Sequence, residues 1–376
     1  MKLRAVVAAL TLALGCTATT QSASAAPSEY ARSAPVRFAT YNVGLTPTAD
    51  RTDAEQFADG DEEFTQRAGV IAEVIWSTAP DVILLTEITS GAVEALRLQH
   101  LALNHQGRPA LHYPYVFWAH DQDPALTSDT PRSPGGMAVL SRYPIDVDGV
   151  RTFDQFPWQD MPGALVPQEA NSAAPPVTQL SSGGHWDVPI TVGASTVHVL
   201  AARPIAPGTS APLTAERNHD EIRFWSDYVT PGAQGYIRDD AGGVGGLDPH
   251  TPFVILATLQ ADPHDGDSSP GAIGQLLHNR RVIDPMPASD GAAEAAQHQG
   301  DINLTHQGDP AYDTADLPDD PGPGNLRVDY VLPSREGLLW TQSGVFWPTT
   351  ADPEHPLISD GHAPQHRLVW VDLRID

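Results

Sequence analysis

The chain has 376 residues, of which 41% are hydrophobic and 18% are charged, so it has enough apolar content for a buried core. Its 31 glycines and 35 prolines stay below the roughly 25–30% share that is typical of low-complexity disorder. The formal net charge is −26, because 47 acidic residues stand against 21 basic ones. These values exclude collagen, coiled coils and intrinsic disorder. They also make nonspecific binding to nucleic-acid phosphates unfavourable over most of the surface.

The N-terminus has the pattern of a secretory signal. Lys2 and Arg4 precede an apolar run over residues 5–15, and Ala23-Ser24-Ala25 supplies the small residues of a cleavage site. We expect cleavage after residue 25, then a linker over residues 26–35. The sequence therefore predicts a secreted, extracellular protein whose signal peptide spans residues 1–25.

The chain carries one lysine, Lys2, and one cysteine, Cys16. Cleavage of the signal removes both, which excludes Schiff-base chemistry, a phosphate-loop lysine, a disulfide framework and a cysteine nucleophile. A lipid-anchored start at Cys16 is the alternative, but Ala13 stands where such a signal usually has leucine. No later run reaches the roughly 18 apolar residues of a membrane span.

Strand and helix patterns alternate in the first part of the chain. Residues 36–43 indicate a strand, and apolar residues then recur at helical spacing over residues 64–75. Pro80 ends that helix, and the continuously apolar residues 82–85 are typical of a strand covered on both faces. A second helix is expected over residues 91–101. This order predicts a strand-helix-strand unit around an interior sheet.

The rest of the chain adds further strands and helices without a fixed-period repeat. Two Gly/Pro/Asp-rich stretches, residues 230–252 and 308–325, interrupt the pattern, but neither separates two self-sufficient parts. We therefore expect one α/β domain over residues 36–376. The expected strands cover residues 115–119, 137–141, 195–201, 253–260, 326–332 and 367–373, and the expected helices cover residues 218–229 and 271–277.

A carboxylate and an amide stand at the ends of the first two predicted strands. Glu87 follows the buried strand directly, at the carboxyl end where open α/β sheets usually hold their sites. A carboxylate there needs a cation or hydrogen-bond donors. Asn42 ends the preceding strand, so parallel neighbouring strands would bring Asn42 and Glu87 together. A glutamate bonded to loop amides is the plain structural alternative.

Six short segments form an ordered series: Thr40–Val43, Pro80–Glu87, Gly136–Ile145, Arg217–Trp225, Asn325–Ser334 and His366–Leu373. In this order they resemble the endonuclease/exonuclease/phosphatase superfamily, whose members include pancreatic-type deoxyribonuclease. The last three are similar to a secreted bacterial branch of it, and the resemblance runs from about residue 36 to residue 375. It implies a four-layer αββα sandwich, in which two mixed β-sheets lie between helical layers with the site at one end.

The resemblance also implies a metal site. A divalent metal, usually Mg²⁺ with Mn²⁺ or Ca²⁺ as alternatives, would neutralise a phosphate while water attacks phosphorus. Such hard cations prefer carboxylate and carbonyl oxygen. By motif, Glu87 would be the principal metal ligand, and Asn42 and Asp360 would lie beside the metal. Asn42 would also contact the phosphate of the substrate.

The acid or base that the resemblance implies is a histidine held by aspartates. Asp329 would belong to the metal and histidine network, and Asp360 would orient the histidine itself. That histidine should follow the aspartate immediately, but Gly361 intervenes here. His362 and His366 are therefore both candidates for the catalytic histidine.

Three positions depart from the family pattern. Thr258 stands where an aspartate is expected, Gln260 where an asparagine is expected, and Arg203 where a histidine beside the phosphate is expected. A hydroxyl cannot supply the missing charge, and a misplaced acid or base costs roughly 10²–10⁴ in rate. Thr258 and Gln260 are still expected to line the substrate site. Arg203 could hold a phosphate through two parallel hydrogen bonds.

Two functions agree with these residues. The first is a secreted metal-dependent hydrolase of phosphodiesters or phosphomonoesters, with reduced activity. The second is a catalytically inactive homologue, kept as an extracellular binding module. The charge of −26 favours a small phosphorylated substrate over long duplex DNA. Nucleic acids, phospholipids, and sugar or inositol phosphates stay open as substrates, and we expect a monomer.

Two further clusters carry weaker signals. Asp262, Asp265 and Asp267 crowd together like a calcium loop, but Ile273 occupies the twelfth position, where a helix-loop-helix site needs a carboxylate. A polar turn is the better interpretation. His219 lies in a helical pattern without a second histidine four residues later, so we expect it to be structural rather than a zinc ligand.

Overall fold

The computed structural model describes residues 34–46, 62–102, 109–118, 135–166, 179–208 and 213–376. The strands are β1 Val36–Leu45, β2 Val82–Ile88, β3 Tyr115–Phe117, β4 Gly136–Ser141, β5 Arg151–Thr152, β6 His185–Val192, β7 Ser195–Ala202, β8 Phe253–Thr258, β9 Asp329–Pro333, β10 Leu338–Val345 and β11 Val369–Ile375. The α-helices are α1 Glu62–Thr78, α2 Ser90–Ala95, α3 Thr214–Val229, α4 Gly274–Leu277, α5 Asp290–Gln299 and α6 Pro356–Ser359. A π-helix, Leu96–Leu101, continues α2, and 3₁₀-helices cover Val147–Gly149, Trp158–Asp160, Gln234–Tyr236, Asp301–Thr305 and Pro310–Tyr312.

The first sheet has six strands in the order β10-β11-β1-β2-β4-β3. β1 and β2 run parallel with Asn42 opposite Thr86, and α1 lies between them in the chain. The other neighbours in this sheet are antiparallel. The predicted strand-helix-strand unit is confirmed. It brings the carboxyl ends of β1 and β2 to the same edge of the sheet.

The second sheet has five strands in the order β5-β6-β7-β8-β9. β7 and β8 run parallel with α3 between them in the chain, and the remaining pairs are antiparallel. Thr258, the last residue of β8, lies opposite Asp329, the first residue of β9. This sheet also contains a parallel pair, so the carboxyl ends of β7 and β8 share one edge.

The hydrophobic core follows the alternation of side chains along each strand. On β2, Val82 and Leu84 pack between the two sheets, whereas Ile83 and Leu85 pack on the opposite face, in a cluster that includes residues of α1. A third cluster joins the outer face of the second sheet to Trp225 and other residues of α3. Helices therefore cover both outer faces. This arrangement is the four-layer sandwich of two mixed sheets that the sequence predicted.

Several elements differ from their predicted bounds or escaped prediction. The expected strand over residues 326–332 begins only at Asp329, because Leu326 instead forms an isolated bridge to Ala315. β5, β6, β10, α5 and α6 were missed. β6 begins with the polar segment His185-Trp186-Asp187, and four consecutive residues of β10 are exposed, so neither strand shows a simple apolar pattern.

The predicted signal peptide and most of the linker fall within residues 1–33, outside the described residues. Among the helices that are described, none combines the length and the apolar character that a bilayer span requires.

Candidate functional site

Glu87 and Asn42 lie at the carboxyl ends of the paired strands β2 and β1. Glu87 has a φ of 54°, a left-handed conformation that residues other than glycine adopt rarely. Gly135 packs on its backbone so closely that a Cβ there would lie 3.0 Å from the Cα of Glu87. Asn42 is buried; its Oδ1 accepts a hydrogen bond from the backbone N of Gly44 at 3.2 Å. Its Nδ2 finds no hydrogen-bond partner among the described residues.

Arg203 reaches Glu87 from the second sheet. It follows β7 directly, and its guanidinium Nη1 lies 3.5 Å from Oε1 of Glu87, while Nη2 donates to the backbone O of Gly135 at 3.0 Å. The side chain of Arg203 is 2% exposed and that of Glu87 is 27% exposed. Burial lowers the pKa of Arg203, although the charges of Glu87 and Glu221 oppose the change. The observed contact of Arg203 is therefore with Glu87, and its predicted contact with phosphate stays a prediction.

A histidine-aspartate pair lies beside this ion pair. Nδ1 of His366 is 2.8 Å from Oδ2 of Asp329. Burial lowers the pKa of His366, but the charge and hydrogen bond of Asp329, together with the charge of Glu87, outweigh burial and raise the pKa above its usual value. Because Nδ1 is engaged, proton exchange with a substrate falls to Nε2. The pair therefore has the arrangement of an oriented general acid or base.

Thr258 occupies the position where the resemblance implies an aspartate. Its hydroxyl donates to Oδ1 of Asp329 at 2.7 Å and lies 3.3 Å from the hydroxyl of Thr86, so it links the ends of the two sheets. Thr314 donates to the other oxygen of Asp329 at 3.0 Å. Both oxygens of this buried carboxylate are thus engaged. Gln260 lies two residues beyond Thr258, partly exposed, with a φ of 55°.

The structure does not bring Asp360 to the site histidine. Asp360 is exposed just after α6, and its Oδ1 accepts a hydrogen bond from the backbone N of His362 at 2.9 Å. Residues 361–365 separate it from His366, which pairs with Asp329 instead. The residue directly before His366 is the exposed Gln365. The aspartate expected immediately before the histidine is therefore replaced by a neutral side chain, and Asp360 lies in the inserted loop.

Buried polar residues of α3 hold the segments that follow β7 and β8. Glu221 accepts hydrogen bonds from the backbone N of Ser182 at 2.6 Å and of Ile205 at 2.9 Å. Nδ2 of Asn218 donates to the backbone O of Ile205 at 2.8 Å and of Leu259 at 2.9 Å. Burial raises the pKa of Glu221, against the opposing influence of these donors and a nearby arginine. This helix fixes the backbone on both sides of the site.

A model of the Endonuclease/Exonuclease/phosphatase family matches residues 39–360. The chain belongs to this family. The match spans both sheets and includes Glu87, Arg203 and Asp329, whereas His366 follows its end.

Solved structures of low sequence identity also match. An endonuclease/exonuclease/phosphatase from Beutenbergia cavernae DSM 12333 has 17% identity and a TM-score of 0.47, and the match covers 91% of this chain and 72% of that one. Beta toxin from Staphylococcus aureus, solved as a mutant with bound magnesium ions, has 13% identity and a TM-score of 0.48, with 92% and 100% coverage. TDP2 from C. elegans has 12% identity and a TM-score of 0.48, with 90% and 75% coverage. No curated protein sequence matches the chain.

The metal that the family resemblance implies does not fit the side chains at this site. Ca²⁺ takes roughly six to eight oxygen ligands, whereas Mg²⁺ keeps several waters and binds through one or two carboxylates that are free to coordinate it. Glu87 already faces a guanidinium, Asp329 is engaged at both oxygens, and Asp360 bonds its own loop. Within the described ranges, no three His, Cys, Asp or Glu side chains gather closely enough to hold a metal ion. The predicted set of Glu87, Asn42 and Asp360 does not converge.

Sequence reasoning missed two residues at this site of the family fold. Thr314 lies in a stretch assigned to a loop, and no spacing rule marks it. Arg67 lies on α1 and donates to the backbone O of Gly44. Its guanidinium and the carboxylate of Glu87 both lie close to Gly44. Arg67 stands three residues after Phe64 and four before Ile71, inside an apolar stripe. A charged residue in such a stripe was the available signal.

Proposed function

We propose that the chain is an extracellular hydrolase of small phosphate esters with reduced activity. The His366–Asp329 pair, at 2.8 Å and within the electrostatic influence of Glu87, is the observation that carries the proposal. A family match over residues 39–360 supports phosphoester chemistry as the reaction class. Secretion rests on the N-terminal sequence pattern alone.

His366 would move the proton in this reaction. The bond from Nδ1 to Asp329 fixes the ring orientation and leaves Nε2 for the leaving group or the attacking water. The raised pKa of His366 keeps more of the ring protonated near neutral pH, which favours the role of general acid. An oriented acid or base typically contributes roughly 10²–10⁴ in rate.

Hydrogen-bond donors beside His366 would hold the phosphate. Asn42 presents a buried Nδ2 that has no acceptor among the described residues, and an ester oxygen would satisfy it. Arg67 adds a cation on the α1 side of Gly44. The guanidinium of Arg203 offsets the charge of Glu87, which would otherwise repel a phosphate. None of these steps requires a metal.

A binding protein without turnover is the second candidate. Thr258 favours this candidate, because a hydroxyl stands there in place of the expected carboxylate and already donates a hydrogen bond to Asp329. Gln365, directly before His366, is likewise neutral. Ligand affinity could survive such losses while the rate does not.

Hydrolysis of aryl phosphate monoesters and diesters by the purified protein tests the proposal. We expect a slow rate that falls about a hundredfold in His366→Ala, as expected for loss of an acid or base. His362→Ala is the matched control, because His362 lies in the loop with Asp360, and it should leave the rate unchanged. Phosphate-ester binding without any hydrolysis would favour the second candidate. Absence of both binding and hydrolysis would refute the proposed function.

A further inference from the structure

We propose that Arg203 is a built-in cation that takes the place of a divalent metal at Glu87, so that the site binds a phosphate ester without metal. The inference rests on the proposed function for the identity of the ligand. The replacement of a metal by an arginine is a separate claim, which can be tested without any substrate.

The position of the guanidinium is the main support. Nη1 of Arg203 lies 3.5 Å from a carboxylate oxygen of Glu87, the residue expected to be the principal metal ligand. Burial lowers the pKa of Arg203, but a guanidinium beside a carboxylate keeps its charge at neutral pH, so this cation is part of the protein itself. A divalent ion bound to the same carboxylate would be repelled by that fixed charge at short range. The carboxylate can therefore be neutralised by the arginine or by a metal, but hardly by both.

The surrounding backbone is shaped to hold this arginine. Gly135 accepts the hydrogen bond from Nη2 of Arg203 at 3.0 Å, and its φ of 72° favours glycine. A Cβ on Gly183 would lie 2.9 Å from Nε of Arg203, closer than real Cβ contacts. Arg203 itself is 1% exposed. Gly183 leaves room for both the backbone O and the side chain of Arg203, whereas a Cβ on Gly135 would meet Thr46 and the backbone of Glu87. Because Arg203 is buried against these segments, we interpret it as an integrated part of the site.

The side chains around Glu87 offer a metal few free carboxylate oxygens. Thr258 is neutral where the resemblance implies an aspartate, and the residue before the paired histidine is the neutral Gln365. Asp329, the carboxylate that is left, receives hydrogen bonds from Thr258 and Thr314. Thr258 offers a hydroxyl and both oxygens of Asp329 are engaged, so neither residue presents a free carboxylate oxygen to a divalent ion.

Titration of Mg²⁺ or Mn²⁺ into the full-length protein, followed by calorimetry, tests the claim. We expect no binding by the wild-type protein at millimolar metal. In Arg203→Met, the carboxylate of Glu87 loses its internal cation and becomes free to coordinate a metal whose other ligands are water, so we expect metal binding to appear. The double variant Arg203→Met/Glu87→Gln should lose that binding again. Metal binding by the wild-type protein that Glu87→Gln abolishes would overturn the claim, and this result does not depend on whether Arg203→Met folds.

Binding of inorganic phosphate and of an aryl phosphate ester, measured in EDTA and in Mg²⁺, tests the ligand. We expect the same dissociation constant in both solutions for the wild-type protein. A dissociation constant at least about tenfold weaker in EDTA, equal to about 1.4 kcal/mol, would contradict metal-free binding. If neither ligand binds in either solution, the proposed function fails. The metal titration then decides the role of Arg203 by itself.

Discussion

Replacement of Asp313 by asparagine should stabilise the protein at neutral pH. Asp313 is 7% exposed, and no hydrogen bond to its carboxylate is found among the described residues. Burial, followed by the charges of Asp262, Asp265 and Asp309, raises its pKa to about 8. The native fold therefore favours the protonated side chain. An asparagine side chain resembles this form in shape but cannot ionise.

The size and the sign follow from the difference between the folded and unfolded pKa. An aspartate in an unfolded chain has a pKa near 3.8, so below that pH the side chain is neutral in both states. As the pH rises from there towards 8, the free energy of unfolding falls, because the side chain ionises in the unfolded chain while the fold keeps it neutral. At pH 7 the difference spans about three units, or about 4 kcal/mol at about 1.4 kcal/mol per unit. Asp313→Asn should recover up to that amount at pH 7 and very little at pH 3.

Urea unfolding of both proteins at pH 3, 7 and 9 measures this difference. Asp309→Asn is the matched control, because it removes an exposed carboxylate of the same cluster and keeps the side-chain acceptor that caps the 3₁₀-helix Pro310–Tyr312. We expect a much smaller change in the control. If Asp313→Asn changes the free energy of unfolding equally at pH 3 and pH 7, the carboxyl is not held neutral by the fold and the reasoning is wrong.

Three further predictions concern the site. Asp329→Asn should lower the pKa of His366, because the charge and hydrogen bond that oppose burial are lost; a chemical-shift titration of the ring measures it, and an unchanged pKa would contradict this cause. Thr258→Asp should lower stability by roughly 3 kcal/mol in EDTA, since it buries a second carboxylate beside Asp329; thermal unfolding tests this against the neutral Thr258→Asn. Glu221→Gln should lower the free energy of unfolding by roughly 1–3 kcal/mol, because the new amide NH₂ would face backbone N–H donors that now bond to the carboxylate. Urea unfolding measures this change, and Glu216→Gln, at a less buried position of the same helix, is the control.

The pairing of the first two strands was accessible from local sequence pattern. Residues 82–85 are apolar on both faces, and this marks a strand covered by a helix on one side and a second sheet on the other. The same pattern placed Asn42 and Glu87 at neighbouring strand ends, and β1 and β2 do pair in parallel. The parallel pair of β1 and β2 was therefore predictable, because burial on two faces leaves a continuous apolar signal within a short segment. The four layers were implied by the family resemblance, because periodicity alone leaves the number of layers open.

The contacts of the site were less accessible. Arg203 and Glu87 lie 116 residues apart and belong to different sheets, so no spacing rule connects them. His362 and His366 could not be separated by sequence, because the difference between them is the length of an inserted loop. Only the packing of Asp329 against His366 identifies the paired histidine. Long-range geometry of this kind depends on how the two sheets meet.

The backbone is left-handed at Glu87 and at Gln260. Glu87 holds a φ of 54° near the end of β2 in the first sheet, and Gln260 holds a φ of 55° two residues beyond β8 of the second. A side chain with a Cβ in that conformation costs roughly 1–2 kcal/mol compared with a relaxed backbone. Glycine or asparagine would adopt it more readily, so glutamate and glutamine at these positions store strain in the backbone beside the site. Gln260 stands where the resemblance implies an asparagine, so the exchange to glutamine adds to that strain.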